Sequence, residues 1–143
     1  MATVTSNIDQ IIKRLENKLS VELPNKVVKD ISEEIFESSI ARIFINGLNT
    51  NFRKIGKYSK SYKLTRSKHG LQTTFVNLQF TGHLRSLYRL KKKGDYYSIG
   101  FTDSYGSRIA GYMEQKFKCK IFALTDKDVI LAQKIINKWI KII

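Results

Sequence analysis

The stretch YRLKKKGDYYSIGF, Tyr88 to Phe101, limits the chain to very few local geometries. Gly-Asp is a common two-residue hairpin turn, and taking Gly94-Asp95 as that turn sets a complete cross-strand register. Lys93 then faces Tyr96, Lys92 faces Tyr97, Lys91 faces Ser98, Leu90 faces Ile99, Arg89 faces Gly100 and Tyr88 faces Phe101. Because strand side chains alternate between two faces, Tyr88, Leu90, Ile99 and Phe101 point inward. Arg89, Lys91 and Lys93 point outward, with Lys92 near the tip.

The flanking sequence reads mostly as helix. Ile8, Ile11, Ile12, Leu15 and Leu19 recur at helical spacing behind Ser6 and Asn7, either of which suits an N-cap. Pro24 suits the first turn of a second helix, with Val27, Val28, Ile31, Ile35, Ile40 and Phe44 as its apolar face and Asn46-Gly47 as its stop. Asp30, Glu33, Glu34 and Glu37 fall in the N-terminal half of that helix, where the dipole favours acids. From Asn49 to Gly70 the periodicity breaks, and an extended basic loop or arm is expected. Leu71 to Phe80 alternates, with Leu71, Thr73 and Phe75 on one parity and Val76, Leu78 and Phe80 on the other, so a strand with a bulge near Phe75 is expected. Thr81-Gly82 caps a single helical turn, HLRSL. SRIAGYMEQKF places Ile109, Tyr112 and Met113 on one side of a short helix, and Cys119 to Leu124 is a short apolar segment. Thr125 caps a last helix with Asp126 and Asp128 in its first turn and Val129, Ala132, Ile136, Trp139 and Ile143 as its stripe. The order is that of an α+β domain: N-terminal helices, a small antiparallel β-sheet with a hairpin at residues 87–101, and a C-terminal helix. At 143 residues one domain, 1–143, is expected, with a helical part at 1–48, the basic loop or arm at 49–70, the sheet at 71–103 and a second helical part at 104–143.

Charge is distributed unevenly. The net charge is +14, and no acidic residue occurs between Glu37 and Asp95. The field would draw DNA, RNA or an anionic membrane surface. Two clusters carry it: Arg89, Lys91, Lys92 and Lys93 on the hairpin, and Arg53, Lys54, Lys57, Lys60, Lys63, Arg66 and Lys68 on the arm, where Tyr58 and Tyr62 are interleaved. Lysines for phosphates and tyrosines for bases are the ingredients of nucleic-acid contact without sequence readout. The same residues also suit a solvated basic face or a subunit interface.

Enzymatic chemistry finds no seat. His69 and His83 stand apart from any Cys or carboxylate at ligand spacing. Asp95 and Asp103 read as turn and loop residues, and the glycines lack phosphate-loop spacing. No cofactor is expected. The lone Cys119 fits a reducing compartment. No apolar run approaches the roughly 18 residues of a bilayer span, and MATVTSNIDQ is unlike a signal peptide, so a soluble protein made in the cytoplasm and free of membrane is expected.

Between Tyr58 and the C-terminus, a series of motifs resembles the tail-completion and neck proteins of tailed bacteriophages, also called virion morphogenesis proteins. The motifs are Tyr58, Tyr62, Arg66, Lys68 and Gly70, then VNLQFTGHLRSL at 76–87, SIGF at 98–101, RIAGYMEQKF with Ala110 and Tyr112, and IFALTDKD before the last helix. The likeness spans roughly residues 45 to 143. Members often carry a Pro-Ala-Arg-like or Gly-rich segment before the final helix; KFKCKIFALT stands there instead, which leaves the branch open. The resemblance implies a non-enzymatic virion subunit, made in the host cytoplasm, that forms a ring (hexamer or dodecamer) at the neck or top of the tail. Its partners would be copies of itself, portal-proximal connector proteins, the tail tube, and genomic DNA passing through without sequence readout. The competing reading is a free-standing basic nucleic-acid-binding protein.

Overall fold

The computed structural model describes residues 4–79 and 81–142. Strand β1 (Val4–Asn7) leads into α1 (Asp9–Leu19) and α2 (Asn25–Ile40), which continues as a π-helical turn at Ala41–Ile45. After a long connection come α3 (Lys60–Lys68), α4 (His83–Leu87), β2 (Arg89–Lys93), β3 (Tyr96–Phe101), α5 (Ser104–Phe117) and α6 (Asp126–Ile142). The protein is α+β, with helices on both sides of the sheet in sequence. No described helix is long and apolar enough to cross a membrane.

The sheet is antiparallel with order β1-β3-β2. The hairpin register matches the expectation at all five paired positions, from Arg89 with Gly100 to Lys93 with Tyr96. Its inner face is the floor of the core: Ile99 and Phe101 are fully buried, and Tyr88 almost so. Tyr88, just before β2, sits among rings drawn from four segments. Its centroid lies 5.8 Å from Phe36, 5.7 Å from Phe44, 5.3 Å from Phe101 and 6.1 Å from Phe122. Such offset and edge contacts add about 0.5–1.5 kcal/mol per pair beyond area burial. Above the sheet, Ile11, Ile12 and Leu15 of α1, Ile31 and Ile35 of α2 and Ala132 and Ile136 of α6 complete one continuous apolar cluster. Ile143, at the end of the expected α6 stripe, and Phe80 lie outside the described residues.

Four local expectations need correction. The central strand β3 takes its second neighbour from β1, with Val4 opposite Phe101 and Asn7 opposite Ser98. No such strand was expected in the four-residue segment, because its partner lies some ninety residues away and nothing local marks it. Leu71–Gln79 is not a strand: its backbone is bonded by side chains, as Gln72 Oε1 accepts from Thr74 and Phe75 N–H and Asn77 Oδ1 from Gln79 N–H. Side-chain amides that bond nearby backbone compete with a ladder, and Leu78 at φ +56° leaves the extended region. The arm contains α3, capped by the Ser59 hydroxyl accepting from Tyr62 N–H; this helix has no apolar stripe to announce it, since Arg66 is its only buried residue. In α2 no acid lies in the first turn, so the stabilisation expected from the dipole, which fades within one turn, is not realised.

The remaining helix ends follow their caps. Asp103 accepts from Gly106 N–H and starts α5 earlier than the apolar pattern suggests; Tyr112, expected on the packed side, is 56% exposed, and Ala110 takes the buried position. Thr125 and Asp128 cap α6 reciprocally, with Thr125 N–H donating to Asp128 Oδ2 at 2.7 Å and Asp128 N–H to Thr125 Oγ1 at 3.3 Å.

Two glycines with similar left-handed backbone test the packing. Gly47 (φ +64°) ends the α2 extension against the Val76 carbonyl and the Phe75 ring, which a Cβ would strike, whereas a Cβ on Gly94 (φ +59°) meets nothing within 4 Å. Gly94→Ala is expected to cost about 1–2 kcal/mol, the left-handed penalty alone. Gly47→Ala should cost several kcal/mol more in urea denaturation, and equal costs would mean that residues 75–76 do not press on the helix end.

Candidate functional site

The hairpin cations are presented as the register dictates. Arg89, Lys91 and Lys93 are exposed on the sheet face opposite the core, beside exposed Thr5, Asn7 and Tyr96. Lys91 Nζ donates to Thr102 Oγ1 at 2.7 Å, and Lys92 at the tip lies 5.8 Å from the Tyr97 ring. The ion pairs among the described residues, Lys13–Asp9 and Lys29–Glu33, lie on α1 and α2. No ion pair among the described residues involves the hairpin cations.

The arm residues divide into two groups. Arg53, Lys57, Lys60, Lys63 and Lys68 are exposed. Lys54, exposed as well, donates to the Asn46 carbonyl at 3.3 Å and lies 4.1 Å from the Phe75 ring, a contact between the arm and the end of the α2 extension. Tyr58 is half-buried, with its hydroxyl within 3.4 Å of Asn77 Oδ1 and accepting from Asn77 N–H at 3.2 Å; burial raises its pKa. Tyr62 packs edge-on against Tyr58 at 5.3 Å.

Arg66 departs from the expectation of a polyanion contact on the arm surface: it is 2% exposed. Its Nε donates to the Gln72 carbonyl at 2.8 Å and its Nη1 to the Gln79 carbonyl at 2.6 Å. The guanidinium also lies 4.5 Å from the Tyr58 ring centroid. A buried charge is costly unless it is well bonded, and here the bonds run to both ends of the irregular 72–79 segment, pinning it as a ladder would have. No ion pair among the described residues reaches Arg66. Periodicity marks this position as one lysine- and arginine-rich site among many, so only the packed structure distinguishes it.

Beside Arg66 opens a cleft of about 580 Å³, walled by the arm and α3, the 76–84 segment and α5. Tyr58, Tyr62, Tyr105 and Phe117 give it aromatic surface, Lys57 and Lys116 stand at it as cations, and no carboxylate lines it among the described residues. His83 contributes its ring from the start of α4, 5.5 Å from Tyr105. The sequence pattern misses this site because its walls come from segments up to sixty residues apart and because Tyr105 and Lys116 fall outside both basic clusters.

A second polar group lies within the core. Arg42, on the π-helical turn, donates through Nη1 to the Leu48 carbonyl at 3.1 Å and through Nη2 to the Ala123 carbonyl at 3.4 Å. Burial lowers its pKa and raises that of Asp128. Arg42 thereby ties the end of the α2 extension to the segment before α6, and Asp128 caps α6 through Thr125. Burial pushes the Tyr88 phenol up to about 12, with Ser39 as its hydrogen-bond partner and Arg42 opposing the shift.

Compared with known proteins, the chain matches no family, no curated protein and no solved structure.

Replacing Arg66 with Ala is expected to lower stability by about 2–5 kcal/mol, since it strands two inward carbonyls. Arg66→Lys should recover little of this, because an ammonium lacks the planar fork; full recovery in urea denaturation would show that charge alone matters there. Tyr88 adds a pH dependence. Its folded pKa lies above the unfolded value of 10.0, so the folded chain holds the proton that the unfolded chain releases. Stability is unaffected by this group below pH 10 and falls as pH rises from about 10 to about 12, by roughly 2–3 kcal/mol at most. Tyr88→Phe should flatten that fall, and identical alkaline slopes for the two proteins would contradict it.

Proposed function

We propose that the chain is a structural subunit of a tailed-phage virion, forming a ring at the neck or top of the tail that joins the head connector to the tail and lets the genome pass. The observation that carries this reading is the hairpin. Its inner face is anchored in the core while Arg89, Lys91 and Lys93 stand exposed on the opposite face of a small sheet, with no carboxylate in an ion pair with them among the described residues. A rigid row of cations on a strand suits contact with passing phosphates, which needs no base readout. The order of motifs over residues 45–143 supports the same reading. Strands β1 and β2 are both sheet edges; the lysines on β2 discourage indiscriminate strand pairing and leave assembly to side-chain surfaces.

A second reading, a free-standing basic protein that binds nucleic acid without sequence specificity, draws on the aromatic and cationic cleft. Mass measurement and electron microscopy of the purified chain separate the two. The first expects closed rings, hexameric or dodecameric, and a chain that stays monomeric at all concentrations and is absent from particles would overturn it. Under the first reading, Lys91→Glu combined with Lys93→Glu leaves thermal stability within about 1 kcal/mol and lowers duplex affinity, with the salt dependence of binding shallower by roughly two phosphate contacts. An unchanged salt slope would remove the hairpin from the DNA-facing surface.

A further inference from the structure

We infer that the cleft beside Arg66 is a binding site for a nucleotide, taking an unpaired base among its aromatic rings and a phosphate at its cationic rim. This stands whether or not the chain assembles into a ring. A volume of about 580 Å³ falls within the range of sites for small organic ligands, roughly 300–1,000 Å³. Three kinds of group meet there. Tyr58, Tyr62 and Tyr105 supply ring faces and edges from two separate segments, the arm and α5. Lys57 and Lys116 supply positive charge with no acid in the lining among the described residues. Gln79, Thr81 and Ser59 add polar side chains to the lining; each already holds a bond within the chain, Gln79 Nε2 donating to the Phe44 carbonyl, Thr81 Oγ1 accepting from His83 N–H and Ser59 Oγ accepting from Tyr62 N–H, which leaves the amide oxygen and the hydroxyls their remaining capacity for a base edge or a sugar.

Arg66 shows that the positive charge is built in. The guanidinium is 2% exposed, its Nε and Nη1 are committed to carbonyls, and Nη2 has no hydrogen bond among the described residues. No buried side-chain nitrogen or oxygen among them lacks a partner. Arg66 is itself among the residues that line the cleft. A cleft lined by aromatic rings and by cations, with no acid in the lining among the described residues, favours an anion carrying a planar ring. A sugar phosphate would leave the rings unused, and a fatty acid would set its chain against the polar part of the lining. A nucleotide uses all three kinds of group, and stacking on aromatic side chains beside a basic surface is how unpaired strands are held.

Fluorescence anisotropy with a labelled short oligothymidylate tests this, alongside a duplex of the same length at the same salt and with thymidine monophosphate as competitor. The wild-type chain is expected to bind the single strand more tightly than the duplex. Tyr105→Ala, at a half-exposed ring on α5, is expected to weaken single-strand binding by roughly 5- to 150-fold, the range of one lost base stack, and to leave duplex binding unchanged. Tyr105→Phe should retain it, and Lys116→Glu should weaken it while leaving the thermal midpoint within a few degrees of the wild type. Competition by thymidine monophosphate assigns the site to free nucleotides, and competition by the oligonucleotide alone assigns it to nucleotides within a strand; both support the proposal. Single-strand binding that Tyr105→Ala leaves unchanged overturns it, as does equal wild-type affinity for the single strand and the duplex. Neither outcome bears on ring formation, which is read from mass.

Discussion

The packing of Tyr88 holds the molecule together. Its ring meets Phe36 of α2, Phe44 of the π-helical turn, Phe101 of β3 and Phe122 of the segment before α6, so four parts of the chain are located relative to one side chain. The hairpin depends on it. A slip of one residue in an antiparallel pair exchanges the two faces, which would drive Lys91 into the core and Leu90 out of it, and the aromatic cluster makes that exchange prohibitively costly. The outward direction of Arg89, Lys91 and Lys93 is thus a by-product of where Tyr88, Ile99 and Phe101 are buried.

Arg66 organises the other half in a different way. Around Tyr88 the chain is ordered by apolar contact and a regular ladder, whereas residues 71–79 are ordered by side chains that bond backbone: Gln72, Asn77, Tyr58 and above all Arg66. Irregular backbone that is partly buried must have its polar groups satisfied, and a guanidinium with several N–H donors is well suited to do so. The consequence is a cleft: a segment held at its ends by one cation, without a partner strand, leaves room between itself and α5. The hairpin and the cleft accordingly have separate physical origins, and their charges make contacts in different parts of the molecule.

What was legible in advance follows the range of each interaction. The hairpin and the HLRSL turn were, since both are set by neighbours within a few residues: Gly94-Asp95 for one and Thr81-Gly82 for the other. The reciprocal cap of α6 was half legible, with Thr125 evident and the returning carboxylate of Asp128 assigned only to the dipole. Strand β1 was not, because its edge pairing with β3 carries no local signature. The strand expected over 71–80 failed because period-two alternation says nothing about whether a partner strand is present; here the neighbouring element is Arg66. The outward direction of Arg89, Lys91 and Lys93 followed from strand parity, while the arm set was a list of charges that only burial could sort.

The amino-acid sequence by itself determined the α+β class, the hairpin with its register, the apolar faces of helices α1, α2 and α6, and the excess of positive charge in the middle of the chain. Each of these is set by composition or by residues a few positions apart. Tertiary structure alone decided the third strand, the burial of Arg66 rather than its neighbours, and the meeting of Tyr58, Tyr105 and Lys116 around one cavity. These choices rest on contacts between distant segments, where the free energy of desolvating a charge or closing a long loop is balanced by groups that no local window contains.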